Sequence, residues 1–250
     1  MPISKGNNFI VVIPARLGSK RFSGKLLKKI NNSTVIELTV KQCLKATDRK
    51  NIIVATDHVS IVNECKRINI PSIITSKLCK TGTDRVSEVA EKIKKKFYIN
   101  VQGDEIFVSP LAIKKVILEI QKKDNGIVNC YTNISKKKEF YDLNVPKVLI
   151  NKKSNLIYIS RAPIPYNKKG VFHSAKKQVC VYGFQRNLLR KFFSKLSKKT
   201  KIESIEDIEI IRFLENNINI KMINVPGSNL SIDTKKNLYD AKKIFKNAKR

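Results

Sequence analysis

Tryptophan is absent from this chain, and histidine and methionine occur only twice each. The histidines, His58 and His173, stand one after an expected strand and one in an irregular stretch, so no Ser/His/Asp or Cys/His nucleophile is assembled. Cysteine is scarce and odd in number: Cys43, Cys65, Cys79, Cys130 and Cys180 are scattered, with no CxxC or Cys/His cluster. That argues against a disulfide framework and a zinc site, and leaves each as a small buried hydrophobe. No run approaches about 18 consecutive apolar residues, and the opening MPISKGNN lacks a signal-peptide core. The expectation is a cytoplasmic protein with no membrane span. Acidic residues are few as well, 20 Asp+Glu against 51 Lys+Arg for a net charge of +31. Such a balance invites nucleic acid, yet the excess is lysine spread along the chain beside Ile and Asn, with no RRM, KH or zinc-finger pattern. We expect a solvated basic surface that attracts small anions, and no nucleic-acid partner.

What is present suits an α/β protein. A chain of 250 residues forms one large domain over 1–250 and buries roughly three quarters of its unfolded surface. Internal repeats are not evident, and the only low-complexity features are lysine doublets and triplets such as 94–96 and 136–138.

The most informative stretch is 9–25, FIVVIPARLGSKRFSGK. Five apolar residues without alternation predict a parallel strand covered on both faces. The run stops at Pro14 and becomes a small-residue loop with Arg16, Lys20, Arg21 and Lys25. Glycine and serine let the backbone approach a ligand, and the cations supply charge-assisted donors for phosphate oxygens. It is neither GxxxxGK[ST] nor GxGxxG. A strand followed by a solvated basic turn is the alternative.

Helix and strand patterns then alternate. Thr34 and Glu37 read as a capping box for a helix reaching about residue 46, followed by a strand at 51–55, a helix at 60–68 and a strand at 72–75. The loop 80–85, KTGTDR, opens a helix at 86–96; its amides and Arg85 suit an anion, though Thr and Asp are equally good caps. A strand at 98–101 delivers Gln102-Gly103-Asp104 at its carboxyl end, where open α/β sheets bind ligands. Asp104 there suits Mg²⁺ on a triphosphate, or is a turn residue before a helix begun by Ser109 and Pro110. Beyond Gly126 the strand-like segments 126–132, 145–150, 156–160 and 179–184 predict a β-rich excursion, with 154–177 protruding and Arg161 presented from a proline-rich loop. Helices at 188–196, 205–215 and 237–248 and a strand at 220–225 complete the chain. Asp233 stands just before the last helix, where it reads locally as a cap or a site residue.

The ordered set IPAR, GSKRFSGK, IIVATD, TGTDR, NVQGDE, SRAPIP, VYGF and a final IDT resembles the 3-deoxy-manno-octulosonate (Kdo) cytidylyltransferases from about residue 9 to 244. The resemblance implies a Rossmann-like, glycosyltransferase-A-like nucleotidyltransferase fold with a mixed sheet. It implies transfer of CMP from CTP to the anomeric hydroxyl of a 3-deoxy-ulosonic acid for lipopolysaccharide synthesis, with Mg²⁺ as cofactor and a homodimer as the assembly. The metal would lie on Asp104 and Asp233, with Lys25 as the third catalytic group. Pro14, Ala15, Arg16, Arg21, Lys25, Thr81, Gly82, Thr83 and Arg85 match the nucleotide side. Gln102, Arg161 and Tyr182 match the sugar pocket. The chain departs from the family at Ser23, usually Pro, at Gln178, usually His, and at Ile210, usually Gln. The last two changes resemble the branch that handles the 8-amino-3,8-dideoxy sugar. A cytidylyltransferase for another nonulosonic acid, a uridylyl- or adenylyltransferase of related fold, and a basic nucleic-acid-binding module are the other readings.

Overall fold

The computed structural model describes residues 8–18, 22–122, 124–195, 198–226 and 230–247. Its centre is β1 (Phe9–Ala15), buried along its whole length. A strand apolar on both sides must be covered on both sides. Val11 and Ile13 pack into one core and Ile10 and Val12 into the other.

After the loop, a 3-10 turn (Lys25–Leu27) and a small ribbon, β2 (Lys29–Ile30) and β3 (Ser33–Thr34), lead into α1 (Val35–Leu44). Thr34 caps α1 by accepting from Glu37 N, but the Glu37 carboxylate turns outward to Ser33, Lys41 and Arg67, so only half of the expected capping box forms. Then come β4 (Ile52–Thr56), α2 (Val59–Arg67) capped by His58, and β5 (Ser72–Ile74). The helix expected at 86–96 is α3 (Gly82–Lys92). It starts earlier because Thr81 and Asp84 form a reciprocal capping box, which turns the presumed loop into the first turn. β6 (Phe97–Val101), α4 (Pro110–Ile120) and β7 (Ile127–Asn133) follow, and then the short α5 (Lys137–Tyr141), which the pattern did not predict.

The excursion is β8 (Lys147–Ile150), β9 (Leu156–Ser160) and β10 (Lys176–Gln185). The expected protruding run 154–177 therefore divides: its start pairs with β8 as β9, its end enters β10, and only the part between lies outside the strands. Next are α6 (Arg186–Lys195), α7 (Lys201–Glu206), α8 (Ile211–Leu214), β11 (Lys221–Asn224) and α9 (Lys235–Asn247). The single helix expected at 205–215 is two helices, broken where Asp207 takes φ 50.

The main sheet runs β11-β7-β10-β6-β1-β4-β5, with β8 and β9 attached to β10. β1 is parallel to β4 and β6, whereas β10 is antiparallel to β6 and β7. The sheet is thus mixed, as expected. Residues of α1 and α4 cover one face and residues of α3 and α8 the other. Cys43, Cys65 and Cys130 are buried, while Cys79 and Cys180 are only partly so. Among the described residues no helix is long and apolar enough to cross a membrane.

Candidate active site

Three parallel strands, β1, β4 and β6, end on the same side, and their carboxyl ends frame the site. Arg16 stands exposed just past β1. Gly24 N donates to Leu17 O at 3.0 Å, which closes the loop, and Gly24 holds φ 65, a left-handed conformation that favours glycine. Lys25 follows directly and points inward.

Asp104 and Asp233 are brought together by backbone contacts. Thr39 Oγ1 donates to Gly103 O at 2.9 Å and fixes the end of β6 against α1. Ile232 N donates to Asp104 O at 3.1 Å, so the carboxyl-terminal segment lies beside that turn. Thr234, not Asp233, caps α9: its hydroxyl accepts from Asn237 N at 3.1 Å. Lys25 Nζ donates to Asp233 Oδ1 at 3.1 Å and forms a shorter contact with Asp104 Oδ2. Burial alone pulls the Lys25 pKa down, but Asp104 and then Asp233 outweigh it and the net shift is upward.

The donor set suits a hard cation. Two carboxylates converge on one ammonium, and the described residues hold no cluster of three or more His, Cys, Asp and Glu that would make an all-protein cage. Mg²⁺ is bound in this way, by one or two carboxylates, with phosphate oxygens and water completing six positions. The residues present therefore fit the ion.

The neighbouring wall is the start of α3. Its amides do not point at open space: Gly82 N and Thr83 N donate to the two oxygens of Glu209 at 3.0 and 2.9 Å. A carboxylate from the loop before α8 thus occupies the anion position that the helix start offers. Burial pushes the Glu209 pKa up, against the pull of its Thr83 and Gly82 donors. Gly82 also lies against Gln102, since a Cβ there would meet Gln102 Nε2 at 2.6 Å. Arg85 is 2% exposed and spends its guanidinium on Thr75 and on Asp57, the latter at 2.9 Å. Of the nucleotide-side residues, Thr81, Gly82, Thr83 and Arg85 are thus engaged within the protein, Pro14 and Ala15 end β1, and Arg21 lies outside the described residues.

A polar row crosses the sheet behind this wall. Tyr182 on β10 stands between Asn100 on β6 and Asn129 on β7. Asn129 Nδ2 donates to Val179 O and Val181 O at 3.2 and 3.0 Å, clasping an irregularity in β10. Gln178 Nε2 donates to Asn129 Oδ1 at 3.0 Å. Asn100 is fully buried, and its Nδ2 has no partner among the described residues. Burial, together with Cys180 and Glu209, raises the Tyr182 pKa well above that of a free phenol. Ile210 is buried, 1% exposed, in the same apolar cluster as Tyr182 and Phe184. Arg161 directs its guanidinium to the carbonyls of Leu143, Glu206 and Asp207.

Asn100, Asn129 and Glu209 were not singled out from sequence as site residues. The asparagines sit inside strands, and the partners of Glu209 are more than a hundred residues away. Only the even spacing of Asn100 in β6 and Gln102 just past its end hinted that polar groups share a face.

Fold and site together define a nucleotidyltransferase. The family model described as "Cytidylyltransferase" matches residues 10–222. The 3-deoxy-manno-octulosonate cytidylyltransferase of Elusimicrobium minutum is 32% identical over 247 residues, covering 95% of this chain and 98% of its own. That of Fusobacterium nucleatum is 35% identical over 232 residues, covering 92% and 94%. A solved structure of CMP:2-keto-3-deoxy-manno-octonic acid synthetase complexed with CTP superposes with a TM-score of 0.88 at 27% identity, covering 96% of this chain and 99% of the other. The chain belongs to the cytidylyltransferase family, among the 3-deoxy-manno-octulosonate cytidylyltransferases.

Proposed function

We propose that the protein transfers CMP from CTP to the anomeric hydroxyl of 3-deoxy-manno-octulosonate, releasing pyrophosphate. The observation that carries this reading is the meeting of Lys25, Asp104 and Asp233 at the carboxyl ends of the parallel strands, in a chain of this family. The C2 hydroxyl attacks the α-phosphorus, the bond to the bridging oxygen of pyrophosphate breaks, and the hydroxyl proton leaves to solvent or a nearby carboxylate. Such transfers depend on alignment and charge neutralisation.

Asp104 and Asp233 would hold Mg²⁺, which neutralises the triphosphate and orients its α-phosphorus. Lys25, with Arg16 and Arg21 from the same loop, would neutralise the departing pyrophosphate. The backbone from Pro14 to Arg16 would meet the base, beside Thr81 to Thr83. Gln102, Gln178 and Tyr182 would face the sugar. Arg85 and Arg161 would act through what they hold, Arg161 by fixing the loop that carries Glu209 and Ile210. A cytoplasmic homodimer is the form in which we expect the protein to work, on the strength of the resemblance.

Product identification tests the reading. With Mg²⁺, CTP and Kdo, ³¹P NMR should show one pyrophosphate for each new CMP phosphodiester. Release of CMP and pyrophosphate at the same rate without sugar would contradict it.

A further inference from the structure

The carboxylates assigned to the metal already have a cation between them. Lys25 Nζ donates to Asp104 Oδ2 and, at 3.1 Å, to Asp233 Oδ1. The three side chains are 12%, 18% and 32% exposed, so water screens the trio incompletely. A divalent ion held by the same carboxylates takes lone pairs that now accept from the ammonium. The trio carries a single net negative charge. Adding a dication without other change leaves two cations in contact with one positive charge in excess, an arrangement that Coulomb repulsion at close range disfavours strongly. A triphosphate removes the conflict, because its oxygens give the metal further ligands and the ammonium new acceptors.

We propose that Lys25 is the internal counter-cation of Asp104 and Asp233 in the nucleotide-free protein, and that the divalent metal enters only with the triphosphate, which draws Lys25 onto its phosphate oxygens. The inference rests on the assignment of the metal to these carboxylates. Lys25 is suited to both positions, as a compact charge on a flexible stem. It follows the left-handed Gly24 that closes the loop, so its main chain is held while its head group exchanges partners. The same side chain thus keeps two acids together before the nucleotide binds and serves the phosphates afterwards.

Mn²⁺ is the probe, its unbound fraction read by EPR in the absence of nucleotide. Free wild-type protein should bind it weakly, and Lys25→Met about tenfold or more tightly, since the competing charge is gone. Adding Asp104→Asn to Lys25→Met should abolish the gain. In parallel, water-proton relaxation with CTP and no sugar reports Mn²⁺·CTP on the protein, and Asp104→Asn or Asp233→Asn should reduce it. Unchanged Mn²⁺ affinity in Lys25→Met, with the aspartate variants still impaired in the CTP arm, overturns the inference and leaves the metal assignment standing. Aspartate variants without effect in either arm overturn both. Should Lys25→Met fail to fold, wild type decides: metal bound as tightly without CTP as with it overturns the inference.

Discussion

Lys25, Asp104 and Asp233 show how little a residue's local setting reveals of its role. In sequence Asp233 reads locally as either a helix cap or a site residue; Thr234 does the capping and Asp233 accepts from Lys25. Asn is nearly isosteric with Asp but carries no charge for a metal. Asp104→Asn and Asp233→Asn should therefore keep the fold and lose metal-dependent turnover, which circular dichroism and a pyrophosphate-release assay check together. Lys25→Ala should cut kcat by about a hundredfold or more, because the lost charge stabilises the leaving group more than the bound substrate. If KM for CTP rises and kcat does not fall, Lys25 binds uniformly and the leaving-group role is wrong. Gln178 keeps its amide NH₂ on Asn129. Gln178→His should alter the ratio of kcat/KM for Kdo and its 8-amino analogue by about tenfold, the value of a matched hydrogen bond. An unchanged ratio places discrimination elsewhere.

At the scale of elements, the strongest constraint is a buried ionic network. Arg212 on α8 is fully buried, donating to both oxygens of Glu203 on α7 at 2.6 Å and to Asp84 on α3 at 3.2 Å. It holds together the helices on either side of the Glu209 loop. Arg212→Met leaves buried carboxylates without their cation and should cost about 3 to 5 kcal/mol, read by denaturant unfolding. A loss below about 1 kcal/mol would show that the network adds little to stability. A second cluster predicts a pH dependence. Burial raises the Glu37 pKa, but hydrogen bonds from Lys41 and Arg67 prevail and lower it to about 2. A depressed folded-state pKa stabilises above the ordinary value of 4.5 and loses that stability as pH falls towards 2. Glu37→Gln should melt below wild type at pH 7, with the gap closing through that acid window. A gap that persists at pH 2 would mean packing, not charge, is responsible.

For the whole molecule, sequence and structure agree where the signal is local. The unbroken apolar run of β1 announces a central parallel strand, and β4 and β6 with their covering helices follow from the same alternation. The break between α7 and α8 was not legible, because it depends on Asp207 turning left-handed and on Glu209 reaching the amides of α3. Thr81 and Asp84 were legible as a cap, and the helix start follows from them, but the competing reading of an open anion site hid it. The Lys25 site joins residues 79 and 208 positions apart, a distance no periodicity spans. Resemblance to a family supplied that juxtaposition, and the geometry gives it a physical form. The high positive charge fits this account as a surface property that attracts anionic substrates. The most direct test of the whole account is kcat/KM for each of the four nucleoside triphosphates with Kdo, measured by pyrophosphate release with Mg²⁺. The account predicts that CTP exceeds every other nucleotide and that no pyrophosphate appears without the sugar. Equal rates with UTP or ATP, or release independent of sugar, would contradict it.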